Sequence, residues 1–214
     1  TTGFESFSQN KKTEWFLTAN GNFYIPVANR AKGIYPILGY DKLSSPKILL
    51  GGVGLGAAWF KPLTKDLSFK MQANFSKHTY WDEPVVIRDY VAAPLGDYES
   101  GSSDYGLGIA GMIHYFPVES FSVGAGISAQ VTAISLTRTP GMYIGADIDP
   151  GFAVNRYYKT VVPMIPVELS YRVNKLLFNL RYEAGLINRI KGDLARFKSD
   201  KFSLLTFEFG FLIR

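Results

Sequence analysis

The sequence predicts an all-β chain: an eight-stranded, antiparallel, up-and-down transmembrane β-barrel with short turns at one end and long loops at the other. Three observations carry that expectation. Segments along the chain alternate in period two between apolar residues and small or polar ones, as strands with two unlike faces do. The connections between them alternate strictly between short and long. The composition, 19% charged and 15% aromatic with 21 glycines in 214 residues, holds fewer charges than the roughly 25% of ordinary soluble domains.

The eight segments are 14–25, 48–60, 67–81, 104–116, 121–136, 159–172, 176–188 and 201–213. The second sets Val53, Leu55, Ala57 and Trp59 against glycine. The third sets Leu67, Phe69, Met71, Ala73 and Phe75 against Ser68, Lys70, Gln72, Asn74 and Ser76. The fourth alternates Leu107, Ile109, Ile113 and Tyr115 with Gly106, Gly108, Ala110, Met112 and His114. In the fifth, Val123, Ala125, Ile127, Ala129, Val131 and Ala133 oppose Ser122, Gly124, Gly126, Ser128, Gln130 and Thr132. The seventh places Leu176, Phe178, Leu180, Tyr182, Ala184 and Leu186 opposite Asn179, Arg181 and Glu183, and the eighth Phe207, Phe209 and Phe211 opposite Thr206, Glu208 and Gly210. The sixth carries Pro163 and Pro166, which a closed barrel with no edge tolerates poorly, so it is expected to begin later or to hold a bulge there. At ~3.3 Å per residue and a tilt near 45°, about eleven residues rise about 25 Å, the height of a membrane barrel's apolar band.

The glycines invite another reading. Gly52-x-Gly54-x-x-Ala57, Gly106-x-Gly108-x-x-Gly111 and Gly124-x-Gly126-x-x-Ala129 each fit a dinucleotide-binding turn. That turn needs a following helix to hold the pyrophosphate, and each stretch continues instead in period two. The glycines therefore read as the inward face of a wall, leaving room for long side chains from other strands.

"KPLTKD", "PVES" and "VNK" are the short connections. Three of the others run to about twenty residues and the last to about ten. That sorting suits a barrel with periplasmic turns, extracellular loops and both termini in the periplasm, with residues 1–13 a periplasmic lead segment and 14–214 the barrel. A soluble barrel turns its apolar face inward, whereas a membrane barrel turns it outward. The polar faces here carry isolated charges of both signs among amides, hydroxyls and glycine. Such charges, removed from bulk water, need partners. Lys70, Glu168, Arg172, Arg181, Glu183 and Glu208 are the candidates for an interior ion-pair plug. Aromatic girdles are expected from Trp15, Trp59, Phe60, Tyr115, Phe116, Phe121, Tyr171 and Phe211 at the turn end, and from Tyr24, Tyr80, Trp81 and Tyr105 at the other.

With this layout, its small-x-small strands and its closing "FSLLTFEFGFLIR", the chain resembles the small eight-stranded outer-membrane barrels, the OmpA/OmpX-like group, and especially the Bacteroidetes outer-membrane β-barrel domain proteins. The resemblance implies residence in the bacterial outer membrane and contact with its lipid and lipopolysaccharide. It also implies a closing strand with a C-terminal aromatic. Phe207, Phe209 and Phe211 fit, while Arg214 departs from the pattern.

The net charge of +5 is scattered, with no basic stripe or reader motif, which argues against nucleic acid. No cysteine is present, which excludes disulfides and thiolate metal sites. Two distant histidines without a carboxylate cluster offer no transition-metal site, and no cofactor is expected. Some barrels of this kind modify lipid A with a His–Ser pair. Here "SKH" places Ser76 and His78 on one face, in the reverse order and turned inward, so catalysis is the weaker reading. Specificity then falls to the loops, whose candidate contact residues are Tyr35, Tyr40, Val86, Ile87, Tyr90, Tyr143, Phe152 and Tyr157. The expected function is a non-enzymatic scaffold or accessory subunit of an outer-membrane complex, meeting other outer-membrane or surface proteins through its loops. The alternatives are a lipid A deacylase-like enzyme and a narrow channel.

Overall fold

The computed structural model describes residues 12–31, 51–81, 85–88, 94–98, 101–143, 146–154, 160–189 and 198–214. They form the strands β1 (Glu14–Ala31), β2 (Gly52–Pro62), β3 (Leu67–Trp81), β4 (Val85–Arg88), β5 (Pro94–Tyr98), β6 (Gly101–Val118), β7 (Phe121–Tyr143), β8 (Ala146–Val154), β9 (Val161–Val173), β10 (Leu176–Gly185) and β11 (Lys198–Leu212). The wall runs β6-β3-β2-β1-β11-β10-β9-β7, and β6 pairs with β7 to close it. Every pairing is antiparallel. The result is a closed eight-stranded meander in chain order. β8 hangs on the upper part of β7, and β4–β5 is a separate hairpin.

Stepping across paired residues from Gly124 on β7 leads through Glu168, Arg181, Thr206, Asn22, Gly52, His78 and Asp104. The path arrives back on β7 at Ser135. Because it closes, none of the eight wall strands is an edge strand along that path. Because it closes well above its start, the strands are staggered and tilt against the axis. Every non-glycine residue on that path is buried, so the polar lining climbs the inside as a spiral.

Three tight connections hold one end: residues 63–66, 119–120 and 174–175. In the first, the Thr64 hydroxyl accepts from Leu67 N at 3.1 Å. In the last, Asn174 has φ 54°, a left-handed turn conformation in which Asn is enriched. The opposite end rises unevenly. β1 and β11 stay paired up to Ala31 and Lys198, whereas β1 and β2 part at Asn22 and Gly52. β7 and β8 extend the other side.

The two faces of the wall are opposed in chemistry. Ile127 is 76% exposed on the outside and Lys70 0% exposed on the inside. Val53, Leu55, Phe75, Ile109, Phe178 and Phe209 share the outside, while Gln72, Asn74, Glu168, Asn179, Arg181 and Glu208 share the inside. Apolar surface facing out and hydrogen-bonding groups facing in is the arrangement of a membrane-spanning barrel.

Several expectations need correcting. Phe60 and Phe116 do not join the turn-end girdle: both pack inside, Phe60 with Phe16, Ala58 and Leu177, and Phe116 against them. The reason is parity, since Phe60 alternates in phase with Gly54 and Gly56. Trp15, Tyr115, Tyr171 and Phe211 do face outward. Strand β9 neither starts after its prolines nor bulges. Pro163 pairs with Ala129 and Pro166 with Glu183. The β7–β9 ladder passes from Ala125–Val167 to Ser128–Met164 without a shift in register, leaving unpaired the place where Pro166 has no N–H to donate. A bulge sits elsewhere, on β7 opposite Tyr105 and Gly106. It resets the alternation, so that Ile134 faces out and Ser135 in.

Candidate functional site

The inward positions of β3, β9, β10 and β11 converge in the middle of the barrel. Each is inward because it shares phase with a hydroxyl, amide or glycine. Lys70 Nζ lies 2.5 Å from Glu168 Oε1 and 3.6 Å from Glu208. Arg181 lies 3.6 Å from Glu168 and 3.4 Å from Glu183. Its Nη1 donates to Gln72 Oε1 at 2.8 Å, and Gln72 Nε2 donates to Glu208. Asn179, Ser170 and Ser128 donate to Glu208, Glu168 and Glu183 at 2.6, 3.0 and 2.7 Å. Two cations thus stand among three carboxylates, all buried. Charge pairs of this kind hold when hydrogen bonds also reach the carboxylates, as the amides and hydroxyls do here for each of the three. Glu168 Oε2 and Arg181 Nε have no hydrogen-bond partner and meet only opposite charge, at 3.6 and 3.4 Å.

The structure brings Lys70, Glu168, Arg181, Glu183 and Glu208 into one layer and places Arg172 below it. Arg172 pairs instead with Glu14 at 2.7 Å, its guanidinium 5.2 Å from the Phe16 ring centre and 5.7 Å from that of Phe60. Glu14 opens β1, where its pairing could not be read from any single strand. Beneath the charged layer, Phe16, Ala58, Phe60 and Leu177 form an apolar floor. Above it Val162, Met164 and Leu204 form a second apolar cluster. Sequence reasoning missed both, although phase alone marks Phe16 with Thr18 and Asn20, and Leu177 with Asn179 and Arg181.

His114 also belongs to the layer. Its Nε2 is 3.4 Å from Glu168 and its Nδ1 3.0 Å from the Ser122 hydroxyl, and its ring packs edge-on to Phe60. The glycines explain how it fits: a Cβ on Gly124 would overlap the His114 ring. Space over Gly54, Gly106 and Gly108 is taken by Asn20, Gln130 and Asn74. The glycine wall therefore receives amides and a histidine from adjoining strands, not the long charged side chains expected there.

Nearer the loop end, Ser76 Oγ and His78 Nε2 share a hydrogen bond at 2.8 Å. Both are buried inside the wall. Asp104 is the register partner of His78, but it pairs with Arg189 at 2.7 Å. Of the loop contact residues, Tyr35, Tyr40, Tyr90 and Tyr157 lie outside the described residues. Val86 and Ile87 fall on β4, Tyr143 on β7 and Phe152 on β8, with their side chains outside what is described. No group of three potential metal ligands occurs among the described residues.

Strand order, closure and inverted faces give the chain the architecture of the small eight-stranded outer-membrane barrels, the OmpA/OmpX-like fold. No family model matches it, and no curated protein does. Among solved structures it is similar to Ail, the attachment invasion locus protein of Yersinia pestis, crystallised with the heparin analogue sucrose octasulfate: 7% identity over 94% of this chain and 99% of that one, TM-score 0.48. It is similar also to Neisserial surface protein A, at 10% identity over 94% and 99%, TM-score 0.47. With OprG of Pseudomonas aeruginosa the identity is 12% over 94% and 96%, TM-score 0.33. None of these likenesses supports a Bacteroidetes type.

Proposed function

We propose that the chain is a bacterial outer-membrane barrel with its turns and both termini in the periplasm. Its core is closed by its own side chains, and it acts without catalysis, as a scaffold or accessory subunit that meets other outer-membrane or surface proteins through its loops. One observation carries the reading. Lys70 and Gln72 on β3 reach Glu168, Arg181 and Glu208 on β9, β10 and β11, strands on opposite sides of an eight-stranded ring, whose interior holds little more than side chains. Such a crossing leaves the loop end, where β1–β11 and β7–β8 rise past the wall, as the surface open to partners. Lipid and lipopolysaccharide are the other contacts this location implies.

The test compares the intact chain with one in which residues 82–100 are replaced by a short turn, both purified in mild detergent. The expected result is a set of co-purifying proteins lost from the shortened chain although its barrel still folds, together with no conductance in planar bilayers. An unchanged set, or steady channel currents, overturns the reading. The Ser76–His78 hydrogen bond favours one second reading, a lipid-modifying enzyme. His78→Ala leaves the lipid A acyl pattern unchanged if the first reading holds and alters it if the second does.

A further inference from the structure

The outer surface of the wall is not uniformly ridged. Across β9, β10, β11 and β1 the side chains part to form an open groove of about 590 Å³, lined among others by Ala19, Gly21, Leu169, Tyr171, Phe178 and Phe209. The groove exists because β1 turns two small residues, Ala19 and Gly21, outward beside Phe209 and Phe207 of β11. A Cβ on Gly21 would meet nothing within 4 Å, so the space beside it is open. Phe178 and Phe209 stack edge to face at 5.4 Å and form one bank.

The turn end of the same strands carries two exposed cations. Lys175 sits in the β9–β10 turn, with its carbonyl accepting from Leu212 N at 2.8 Å, which ties it to β11. Arg214 follows β11, and its carbonyl accepts from Trp15 N on β1 at 3.0 Å. Both side chains are exposed. The exposed acids of the described turns, Asp66 and Glu119, belong to the β2–β3 and β6–β7 connections rather than to β9–β10. An apolar groove in the lipid-facing belt, on strands whose turn-end termini carry two exposed cations beside the outward ring of Trp15, matches one kind of molecule: acyl chain along the wall, anionic headgroup at the rim.

We propose that this groove is a site for a single anionic phospholipid of the turn-end leaflet, its phosphate held by Lys175 and Arg214 and one chain laid against Ala19 and Gly21. The proposal rests on the membrane-spanning reading and adds a defined ligand to it.

The test is native mass spectrometry of the full chain released from vesicles of equal parts phosphatidylglycerol and phosphatidylcholine. Before release, a shift in gel mobility between unheated and boiled samples establishes that the barrel has folded and inserted. The intact chain is expected to retain one phosphatidylglycerol in preference to phosphatidylcholine. Gly21→Phe, whose Cβ would meet nothing within 4 Å and whose ring would enter the groove, is expected to reduce retention at least about tenfold, a loss of about 1.4 kcal/mol. The double variant Lys175→Glu/Arg214→Glu lies outside the wall, so it folds even if Gly21→Phe does not, and it is expected to abolish the preference for the anionic lipid. Equal retention of both lipids, retention unaffected by the double variant, or a dimer of the chain in place of the lipid overturns the site. A chain that never inserts into the vesicles overturns the membrane-spanning reading instead.

Discussion

Two parts of the inner wall are furnished in opposite ways. β2, β6 and β7 present Gly52, Gly54, Gly56, Gly106, Gly108, Gly124 and Gly126, whereas β9, β10 and β11 present Glu168, Arg181, Glu183 and Glu208. The glycine side makes space, and its neighbours lie down into it: Asn20, Asn74, Gln130 and His114 each cover an adjoining glycine. The charged side uses space, sending Glu168, Glu208 and Arg181 toward Lys70 and Gln72 on β3. A barrel this narrow cannot line every strand with large residues, because protein interiors pack to near-crystalline density. The two sides teach that a filled polar core requires empty positions as much as charged ones.

That contrast can be broken from the charged side first. Lys70→Met removes the cation shared by Glu168 and Glu208 and leaves buried carboxylates under-compensated. It is expected to cost about 3–5 kcal/mol, read as a lowered urea midpoint for the barrel refolded in vesicles. The paired change Lys70→Met with Glu168→Gln is expected to recover part of that loss; no recovery would show that the two residues act independently. Next in size is a change to the outer face: Ile127→Arg places a charge where lipid should be, at about 2–4 kcal/mol if it sits at mid-depth, and a neutral result in the same titration would mean that this face is wet. On the glycine side, Gly124→Leu drives a side chain into the space of the His114 ring, at about 1–3 kcal/mol. The companion change His114→Gly should relieve it. The smallest effect belongs to the rim, where Arg172→Gln loses a partly exposed pair with Glu14 and is expected to shift the midpoint by about 1 kcal/mol.

Much of this architecture was legible in the chain. The third segment was expected at 67–81 and β3 spans Leu67–Trp81. Its alternation placed Lys70 and Gln72 inside, because period two is a local property. What phase could not say was which inward residues meet across the axis, since that depends on stagger summed around the whole ring. Glu14 with Arg172 and Asp104 with Arg189 are such cases. In the apolar floor, Phe60 shares a strand end with Trp59, so position alone suggests a girdle and only phase turns it inward, while Phe16 and Leu177 stand on polar faces whose other members hide them. The bulge on β7 was also invisible, because nothing in "VTAISL" marks the extra residue. The first strand runs to Ala31 rather than Ile25 because β11 continues to pair with it beyond the point where β2 has left.

The account depends most on which face of the wall meets lipid, and the chain has no cysteine, so single-cysteine spin labels can be placed without background. Labels at Val123, Ser122, Ala125, Ser128, Ile127 and Gln130 on β7, in protein reconstituted in phospholipid vesicles, should respond to dissolved oxygen and to a water-soluble nickel complex in a period of two. The account predicts high oxygen and low nickel accessibility at Val123, Ala125 and Ile127, and low accessibility to both at Ser122, Ser128 and Gln130. High nickel accessibility at Val123, Ala125 and Ile127, in chains that are folded and membrane-bound, would contradict it.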